Sequence, residues 1–289
     1  MSIKQSELIL NPDGSVYHLN LKPENIANDI IFVGDQDRVE SVSNHFDAIE
    51  FTTQKREFKT TTGMYRGKRL SVISTGIGPD NIDIVLNELD ALVNIDLKTR
   101  KAKTILTVLN IVRIGTSGSL QKDIPVDSFL MSSHALDLNG MLHSYQIEEI
   151  AHQEIENAFV KHTNWSPKKA DPILIKNSTV LAKKLMSEKI YTGITATAGG
   201  FYGPQGRVLR LPLEDAAINS KIDSFSWKGR RITNLEMETS AIYGLSQLLG
   251  HRAISMNAII ANRANGTFSQ DYKKVVHDLI EYTLRKLVA

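Results

Sequence analysis

One arginine stands inside a run of residues that otherwise has the composition of a buried strand. Arg113 lies within residues 109–118, where apolar β-branched residues lead into glycine, threonine and serine. A buried guanidinium is costly unless an anion meets it, and its planar fork of N–H groups suits phosphate or carboxylate. The Thr116 hydroxyl and the N–H groups of a turn of small residues would add donors for the same oxyanion. The alternative is an internal Asp or Glu partner, which is the commoner arrangement for a lone buried arginine.

A second arginine is predicted at the start of a helix. Arg38 follows Gly34 by four residues, so it falls in the first helical turn, where the N–H groups and the helix dipole already favour an anion. Two more glycine-rich segments, 75–79 and 115–118, also follow apolar runs. Because ligands bind at the carboxyl ends of strands in open α/β sheets, we expect these three turns to converge on one pocket. The alternative for Arg38 alone is a surface arginine.

Two carboxylates flank a methionine near the start of an apolar helix pattern. They belong to Glu236 and Glu238, on either side of Met237. One carboxylate can accept hydrogen bonds from both hydroxyls of a vicinal diol, such as that of ribose, while a methionine packs against the sugar face. The alternative is ordinary acidity at a helix N-terminus.

A glycine-rich stretch carries groups suited to a nucleobase. Gln205 and Arg207 are two positions apart and point the same way if the chain is extended there. The amide supplies one donor and one acceptor and the guanidinium supplies further donors, which complements the edge of a uracil ring on which Phe201 could stack. The alternative is a loop with no binding role. His18, near the amino terminus, is on its own an incidental histidine.

Composition restricts the classes of protein to consider. The chain has 289 residues, 42% of them hydrophobic and 23% charged, and this is an ordinary globular composition. Its formal net charge is only +2, so no overall basic field favours nucleic acid or an anionic membrane. The absence of cysteine excludes disulfides, thiolate catalysis and Cys-ligated metals, and the eight histidines show no spacing typical of a transition-metal site. No signal pattern or apolar run of membrane length is present, so we expect a cytoplasmic protein.

Strand-like runs and helical periodicity alternate along the chain. Six runs have the length and β-branched content of strands, at 30–33, 70–74, 106–114, 126–132, 190–196 and 253–261. Three segments have the period of amphipathic helices, at 81–93, 237–249 and 272–288. We expect the polar region 94–103 to be an exposed loop or short helix. This alternation, without a linker, predicts one α/β domain with a largely parallel or mixed sheet.

Taken in order, the motifs resemble a known family. The segments 34–39, 74–78, 113–118, 201–207 and 236–238 occur in the order seen in uridine phosphorylases, a branch of the nucleoside phosphorylase I family, and the resemblance runs from about Tyr17 to the carboxyl terminus. It implies a single three-layer α/β domain over residues 1–289, with a mixed central sheet flanked by helices and an N-terminal extension at about 1–16. It also implies a homodimer or a homohexamer whose subunits share their active sites.

The resemblance implies a role for each matching residue. Phosphate would be held by Gly34, Arg38, Arg113, Thr116 and an Arg56 donated by the adjacent subunit. Ribose would contact Thr116, Met237, Glu238 and a His18 that is also donated across the dimer. The base would contact Phe201, Gln205, Arg207, Ile259 and Ile260. The groups implied to act in catalysis are Arg113, Gln205, Arg207 and Glu238.

The resemblance implies inorganic phosphate as co-substrate, with no organic cofactor and no transition metal. Some members of the family bind a monovalent cation at a place that matches Glu57, Ile77 and Asn81. Because residues 78–81 depart from the family's usual pattern, whether potassium binds here is left open.

The implied reaction is phosphorolysis by a pentosyltransferase of pyrimidine salvage and nucleoside catabolism, in which uridine and phosphate give uracil and ribose 1-phosphate. Purine-cleaving relatives carry a Ser-Asp pair after the late strand, where this chain has Ala261, Asn262 and Arg263, and this difference favours a pyrimidine. Three alternatives stay open. They are a purine nucleoside phosphorylase, a hydrolytic nucleosidase of the same fold and, in another class, a noncatalytic nucleoside- or anion-binding protein.

Overall fold

The computed structural model describes residues 2–289, which alternate between strands and helices. The strands are β1 (Asp29–Val33), β2 (Ala48–Lys55), β3 (Phe58–Tyr65), β4 (Lys68–Ser74), β5 (Ile95–Asp96), β6 (Lys101–Ala102), β7 (Asn110–Ser119), β8 (Phe129–Asp137), β9 (Ile173–Lys176), β10 (Ile190–Thr197), β11 (Ser226–Trp227), β12 (Arg230–Glu236), β13 (Arg252–Asn262) and β14 (Thr267–Phe268). The α-helices are α1 (Gln36–Ser43), α2 (Pro79–Asn94), α3 (Gln153–Thr163), α4 (Thr179–Leu185), α5 (Ile218–Asp223), α6 (Thr239–Leu248) and α7 (Tyr272–Val288).

All but two of these strands form one mixed sheet, and part of that sheet closes into a ring. β1 lies between β7 and β4, both parallel to it, and the sheet continues into the antiparallel strands β3 and β2. On the other side β13, β8, β10 and β12 follow β7, and β12 pairs back with β7 where Leu235 lies opposite Gly118. The sequence does not reveal this closure, because the paired residues are far apart along the chain.

Alternate residues of the central strands pack on opposite faces of the sheet. In β1, Ile30 and Phe32 join a core with α2 and α6, whereas Ile31 and Val33 join a core with α1, α4 and α7. A third cluster holds α3 and α5 against β10 and β12. The sheet therefore lies between two helical layers, and the predicted three-layer α/β domain with a mixed sheet is confirmed.

The predicted strands and helices occur with shifted ends, and β7 differs most. It begins at Asn110 and continues to Ser119, so residues 115–118 are strand and the predicted glycine turn there is wrong. The residues before β7 are held at the end of α2, because the Asn94 side-chain amide accepts the N–H of Thr107 and donates to its carbonyl. The polar region 94–103, predicted as a loop or short helix, contains the small hairpin of β5 and β6.

The N-terminal segment packs on the domain. Val16, Leu19 and Leu21 are fully buried in the core shared with α2 and α6. The extension at about 1–16 stays a prediction, and Met1 lies outside the described residues. Within residues 2–289, no helix has the length and apolar content that crossing a bilayer requires. The cytoplasmic location and the oligomeric state also stay predictions.

Candidate active site

Two neighbouring parallel strands, β7 and β13, carry the centre of the candidate site. Arg113 of β7 lies opposite Ser255 of β13, and further along Gly118 lies opposite Ala261. At about 3.3 Å per residue, the stretch of β7 from Arg113 to Gly118 spans about 16 Å. It is therefore long enough to contact a phosphate, a sugar and a base in turn.

The Arg113 guanidinium is buried between two carboxylates. One terminal nitrogen lies 2.7 Å from Glu238 and 3.1 Å from Glu236. The other donates to Asn257 at 3.1 Å and to Ser255 at 3.3 Å. Burial alone would lower the pKa of Arg113, but the carboxylates outweigh burial and raise that pKa. The alternative of an internal acidic partner for Arg113 is therefore present. An anion that binds the guanidinium would share it with these carboxylates or displace them.

Gly115 makes room for this arrangement. The Arg113 side chain folds over its own strand, and a Cβ at Gly115 would lie 2.0 Å from its nearest guanidinium nitrogen. Glycine is thus required here to leave space for the guanidinium and not to form a turn, which explains why a small residue occurs inside a strand at this point.

The two carboxylates beside Met237 have different partners. Glu236 accepts the N–H groups of Glu238, at 2.9 Å, and Thr239, at 3.0 Å, at the start of α6. Glu238 accepts the N–H of Gly78 at 3.0 Å in addition to the Arg113 contact. Burial raises the pKa of Glu238, Arg113 opposes that shift and Glu236 adds to it. Glu236 therefore has the ordinary role of an acidic residue at a helix N-terminus, whereas Glu238 links the loop after β4 to Arg113.

Arg38 lies in the first turn of α1, as predicted. The Asp35 carboxylate caps this helix by accepting the Arg38 N–H, and it also pairs with the Arg38 guanidinium at 2.9 Å. Burial lowers the pKa of Arg38, Asp35 opposes that shift, and Arg113 lowers the pKa further. The Arg38 and Arg113 guanidinium groups are therefore close enough to repel each other, and the carboxylates of Asp35, Glu236 and Glu238 lie beside them. Beside them, a Cβ at Gly34 would meet no atom within 4 Å, so the backbone there is open to a ligand.

The loops after β1 and β4 lie side by side, as two of the three predicted converging turns. The Thr75 N–H donates to the Val33 carbonyl at 2.8 Å. At Gly76, which has a φ of 71°, a Cβ would lie 2.5 Å from the Asn81 amide nitrogen and 3.1 Å from Glu57. The Asn81 amide donates to the Ile77 carbonyl at 3.4 Å. The three residues named for a monovalent cation thus surround Gly76, and the cation itself stays a prediction.

The two side chains predicted to recognise a base contact each other. Arg207 donates to the Gln205 side-chain oxygen at 2.5 Å and to the Phe201 carbonyl at 2.6 Å. Its guanidinium also lies 3.9 Å from the centre of the Phe201 ring. Gln205 is buried, Phe201 is half exposed, and burial lowers the pKa of Arg207. The three residues thus form one polar and aromatic cluster.

Arg263 joins this cluster, although it lies outside the motifs that predict the site. Burial lowers the pKa of Arg263 and Arg207 lowers it further, so the two guanidinium groups are neighbours. The Arg263 side chain lies 3.7 Å from a Cβ placed at Gly118, and its Nη1 is buried without a hydrogen-bond partner in the described part of the chain. A buried donor left unpaired is uncommon and indicates a place for a ligand or water. The signal in the sequence is a charge that directly follows a long apolar strand.

The remaining candidate residues lie at different depths. Thr116, three residues after Arg113, and Met237, next to Glu238 in the chain, are half-buried. Ile259 is fully buried with Ile124 and Leu130. Ile260 stands at a bulge in the pairing of β13 with β7 and is half-buried, so it keeps surface that a ligand can reach.

His18 and Arg56 lie away from this pocket or on its outside. His18 is bonded to Glu88 of α2 at 2.6 Å, and Glu88 is ten residues beyond Gly78. At about 1.5 Å per residue, this puts His18 about 15 Å from the end of α2 that touches Glu238. Arg56 is exposed at the tip of the β2–β3 hairpin, where its carbonyl accepts a hydrogen bond from Gln36 of α1.

Comparison with known proteins decides the family. The family model described as the phosphorylase superfamily matches residues 29–288. The chain belongs to the phosphorylase superfamily. The predicted family resemblance is thus confirmed, and with it the prediction that the chain is an enzyme of the phosphorylase type.

Individual relatives of this phosphorylase carry two kinds of name. A uridine phosphorylase of Thermococcus kodakarensis is 28% identical over 91% of the chain and 83% of the relative. A DeoD-type purine nucleoside phosphorylase of Bacillus subtilis is 25% identical over 93% of the chain and 98% of the relative. Among solved structures, a Trypanosoma brucei nucleoside phosphorylase described as showing uridine phosphorylase activity aligns with a TM-score of 0.88 at 29% identity, covering 97% of this chain and 99% of that one.

Proposed function

We propose that this phosphorylase cleaves uridine with inorganic phosphate to give uracil and ribose 1-phosphate. The observation that supports the proposal is the order in which groups from several elements lie beside β7. Two guanidinium groups lie at one end, Glu238 lies beside them, and a cluster of Gln205, Arg207 and Arg263 lies at the other end. That order matches phosphate, ribose and base in a nucleoside and its attacking phosphate. The relatives named uridine phosphorylase support the same substrate.

In the proposed reaction the C1′–N1 bond breaks and a phosphate oxygen forms the new bond to C1′. The electron pair of the broken bond goes to the uracil ring, which becomes neutral uracil by taking up the proton that hydrogen phosphate loses. Arg38 and Arg113, with the open backbone at Gly34 and the Thr116 hydroxyl, would hold the phosphate beneath C1′. The enzyme then needs no nucleophilic side chain, because holding a desolvated phosphate in line with C1′ supplies much of the rate enhancement.

The departing ring gains negative charge, which the other end of the site is suited to stabilise. Gln205 and Arg207 would donate to the ring oxygens, and these bonds strengthen as charge develops. Arg263 adds a third positive group nearby with an unpaired N–H. The half-exposed Phe201 and the bulged Ile260 would cover the faces of the ring.

The sugar is assigned to Glu238 and Met237. The carboxylate of Glu238 would accept both ribose hydroxyls, which gives charge-assisted hydrogen bonds in a buried setting. Met237, half-buried and adjacent in the chain, would pack on the face of the ribose ring.

The end of β13 favours a pyrimidine over a purine. The Asn262 side chain donates to the carbonyls of Gln121, at 2.9 Å, and Ile124, at 2.8 Å, so it is committed to the fold. The next residue is Arg263, a cation. Neither group supplies the carboxylic acid that would protonate N7 of a departing purine.

One experiment tests substrate and co-substrate together. The purified chain is incubated with uridine, thymidine, 2′-deoxyuridine or inosine, with and without phosphate, and products are separated by chromatography. We expect uridine to give uracil and ribose 1-phosphate where phosphate is present and to stay intact where it is absent. Uracil release without phosphate would instead identify a hydrolytic nucleosidase, turnover of inosine a purine phosphorylase, and binding without products a noncatalytic protein.

The Gln205→Ala variant tests the base contact. It should lower kcat/KM for uridine by about 10-fold or more, because it removes hydrogen bonds made to the leaving group, and leave KM for phosphate nearly unchanged. Asn219→Ala is the matched control, since Asn219 donates to the neighbouring Gly206 carbonyl and supports the same loop. Equal losses in the two variants, or equal damage to uridine and phosphate, would contradict the assignment.

We also propose that each site is completed by a second copy of the chain. The distance of His18 from its own pocket and the exposure of Arg56 support donation across a dimer. Co-expression of an Arg56→Ala chain with a Gln205→Ala chain tests it, because the mixed dimer then contains one intact site. We expect about a quarter of wild-type activity, well above either variant alone. Activity no higher than the average of the two variants would contradict the shared-site proposal without affecting the proposed reaction.

A further inference from the structure

A cluster of three potential metal ligands lies on the opposite face of the sheet from α2. It consists of His45, two residues after the end of α1, and of His277 and Glu281 on α7, and we call it the α1–α7 cluster. One ligand atom from each side chain lies within 4.8 Å of the other two. None of the three residues belongs to the candidate active site.

The spacing within the cluster fits a tetrahedral ion. His277 and Glu281 are four residues apart on one helix, so their side chains share a face, and His277 Nε2 lies 3.5 Å from Glu281 Oε1. Two ligands that each bind zinc at about 2.0–2.1 Å lie about 3.3 Å apart in a tetrahedral site. The α7 pair therefore already has the required separation, and rotation of the half-buried His45 side chain completes the set.

The neighbouring charged groups leave the ligand atoms of the cluster available to a cation. The His45 and His277 rings lie 5.4 Å apart. Arg285 approaches the other Glu281 oxygen, at 4.0 Å, which leaves Oε1 free for an ion. Lys274 is paired with Asp278, one helical turn further along α7.

We propose that the α1–α7 cluster binds one divalent transition-metal ion of the zinc class through His45, His277 and Glu281. Nitrogen and carboxylate ligands of this kind select zinc over magnesium or calcium, which prefer oxygen alone. Three protein ligands leave a fourth position for water at this half-exposed site. The bound ion ties the end of α1 to α7, so its effect is on stability and not on the chemical step.

Spacing along the chain does not reveal this site, because His45 is far from α7 in the sequence. Only the folded arrangement brings it to α7. The proposal is independent of the proposed function, since it uses no residue of the phosphate, ribose or base contacts.

Calorimetric titration with zinc chloride tests the proposal on the full chain. We expect saturable binding of one ion per chain, a loss of about 10-fold or more in affinity in His277→Gln and in Glu281→Gln, and a zinc-dependent rise in Tm that His277→Gln abolishes. The matched control is Asp278→Asn, which removes one negative charge from the same stretch of α7 but no ligand.

Two results would contradict the proposal. If His277→Gln and Glu281→Gln bind zinc as tightly as the wild type, the ion sits on other histidines. If the wild type shows no saturable binding, there is no site. Circular dichroism of each variant without zinc verifies that the fold is retained, and His45→Gln supplies a second ligand variant should one of the others fail to fold.

Discussion

Replacing Glu238 with glutamine separates the sugar contact from the phosphate contact. The substitution keeps the size of the side chain and its acceptance of the Gly78 N–H, and it removes the negative charge. On the proposed assignment, uridine then loses a carboxylate that accepts both ribose hydroxyls. Arg113 keeps Glu236, at 3.1 Å, as a partner, so the phosphate end retains its guanidinium.

The size of the effect follows from the hydrogen bonds. A bond to a charged group contributes about 1.5–3 kcal/mol and a neutral one about 0.5–1.5 kcal/mol, so each hydroxyl loses about 1–1.5 kcal/mol. Two hydroxyls lose about 2–3 kcal/mol, which corresponds to a fall of about 30- to 150-fold in kcat/KM for uridine. For 2′-deoxyuridine, which has one of the two hydroxyls, the loss should be about half as large in free energy.

The assay is steady-state phosphorolysis of both nucleosides at saturating and limiting phosphate. Urea unfolding serves as the control, since loss of the Arg113 contact should cost at most about 3 kcal/mol of stability. A folded Glu238→Gln variant with wild-type kcat/KM for uridine would refute the ribose assignment. An equal loss for uridine and 2′-deoxyuridine would show that the carboxylate does not read both hydroxyls.

Three further predictions test other parts of the structure. Arg113→Met leaves the buried carboxylates of Glu236 and Glu238 without the guanidinium that pairs with them, so urea unfolding should show a loss of about 3–5 kcal/mol, and wild-type stability would contradict the observed pairing. Gly115→Ala puts a methyl group where the Arg113 guanidinium lies, so it should cost about 1–3 kcal/mol and raise KM for phosphate; an unchanged KM would argue against that role. Burial and Arg230 lower the pKa of His134 from 6.5 to about 4, so the unfolded chain takes up a proton over this range before the folded chain does. The free energy of unfolding should therefore fall as the pH drops from 6.5 towards 4, and it should fall less steeply in His134→Gln. If the urea midpoints of the wild type and the variant change identically with pH, His134 makes no such contribution.

Sequence reasoning succeeds where a local signal determines the structure. The apolar run that contains Ile31 and Val33 and the period of α7 identify a strand and a helix directly, and Arg38 occupies the helical turn that its spacing predicts. The glycines near Arg113 mislead because small residues usually indicate a turn. Here Gly115 leaves space for a side chain from the same strand, which is a tertiary requirement.

Contacts between distant segments cannot be read from local patterns in the sequence. The closure of the sheet through Gly118 and Leu235 is one such contact. The choice of partners for Glu236 and Glu238 is another, since only the fold assigns one to the start of α6 and the other to Arg113. Arg263 has no local signal for the site in the sequence, because its neighbour Arg207 lies on a different loop.

The ion pair between Arg113 and Glu238 has a consequence for binding order. On the proposed assignment, phosphate draws Arg113 away from Glu238, and the sugar hydroxyls draw Glu238 away from Arg113. Whichever substrate arrives first therefore loosens the pair and lowers the cost of admitting the second. Such cooperativity is reciprocal and typically amounts to about 1–3 kcal/mol, so each substrate should bind about 5- to 150-fold more tightly once the other is present.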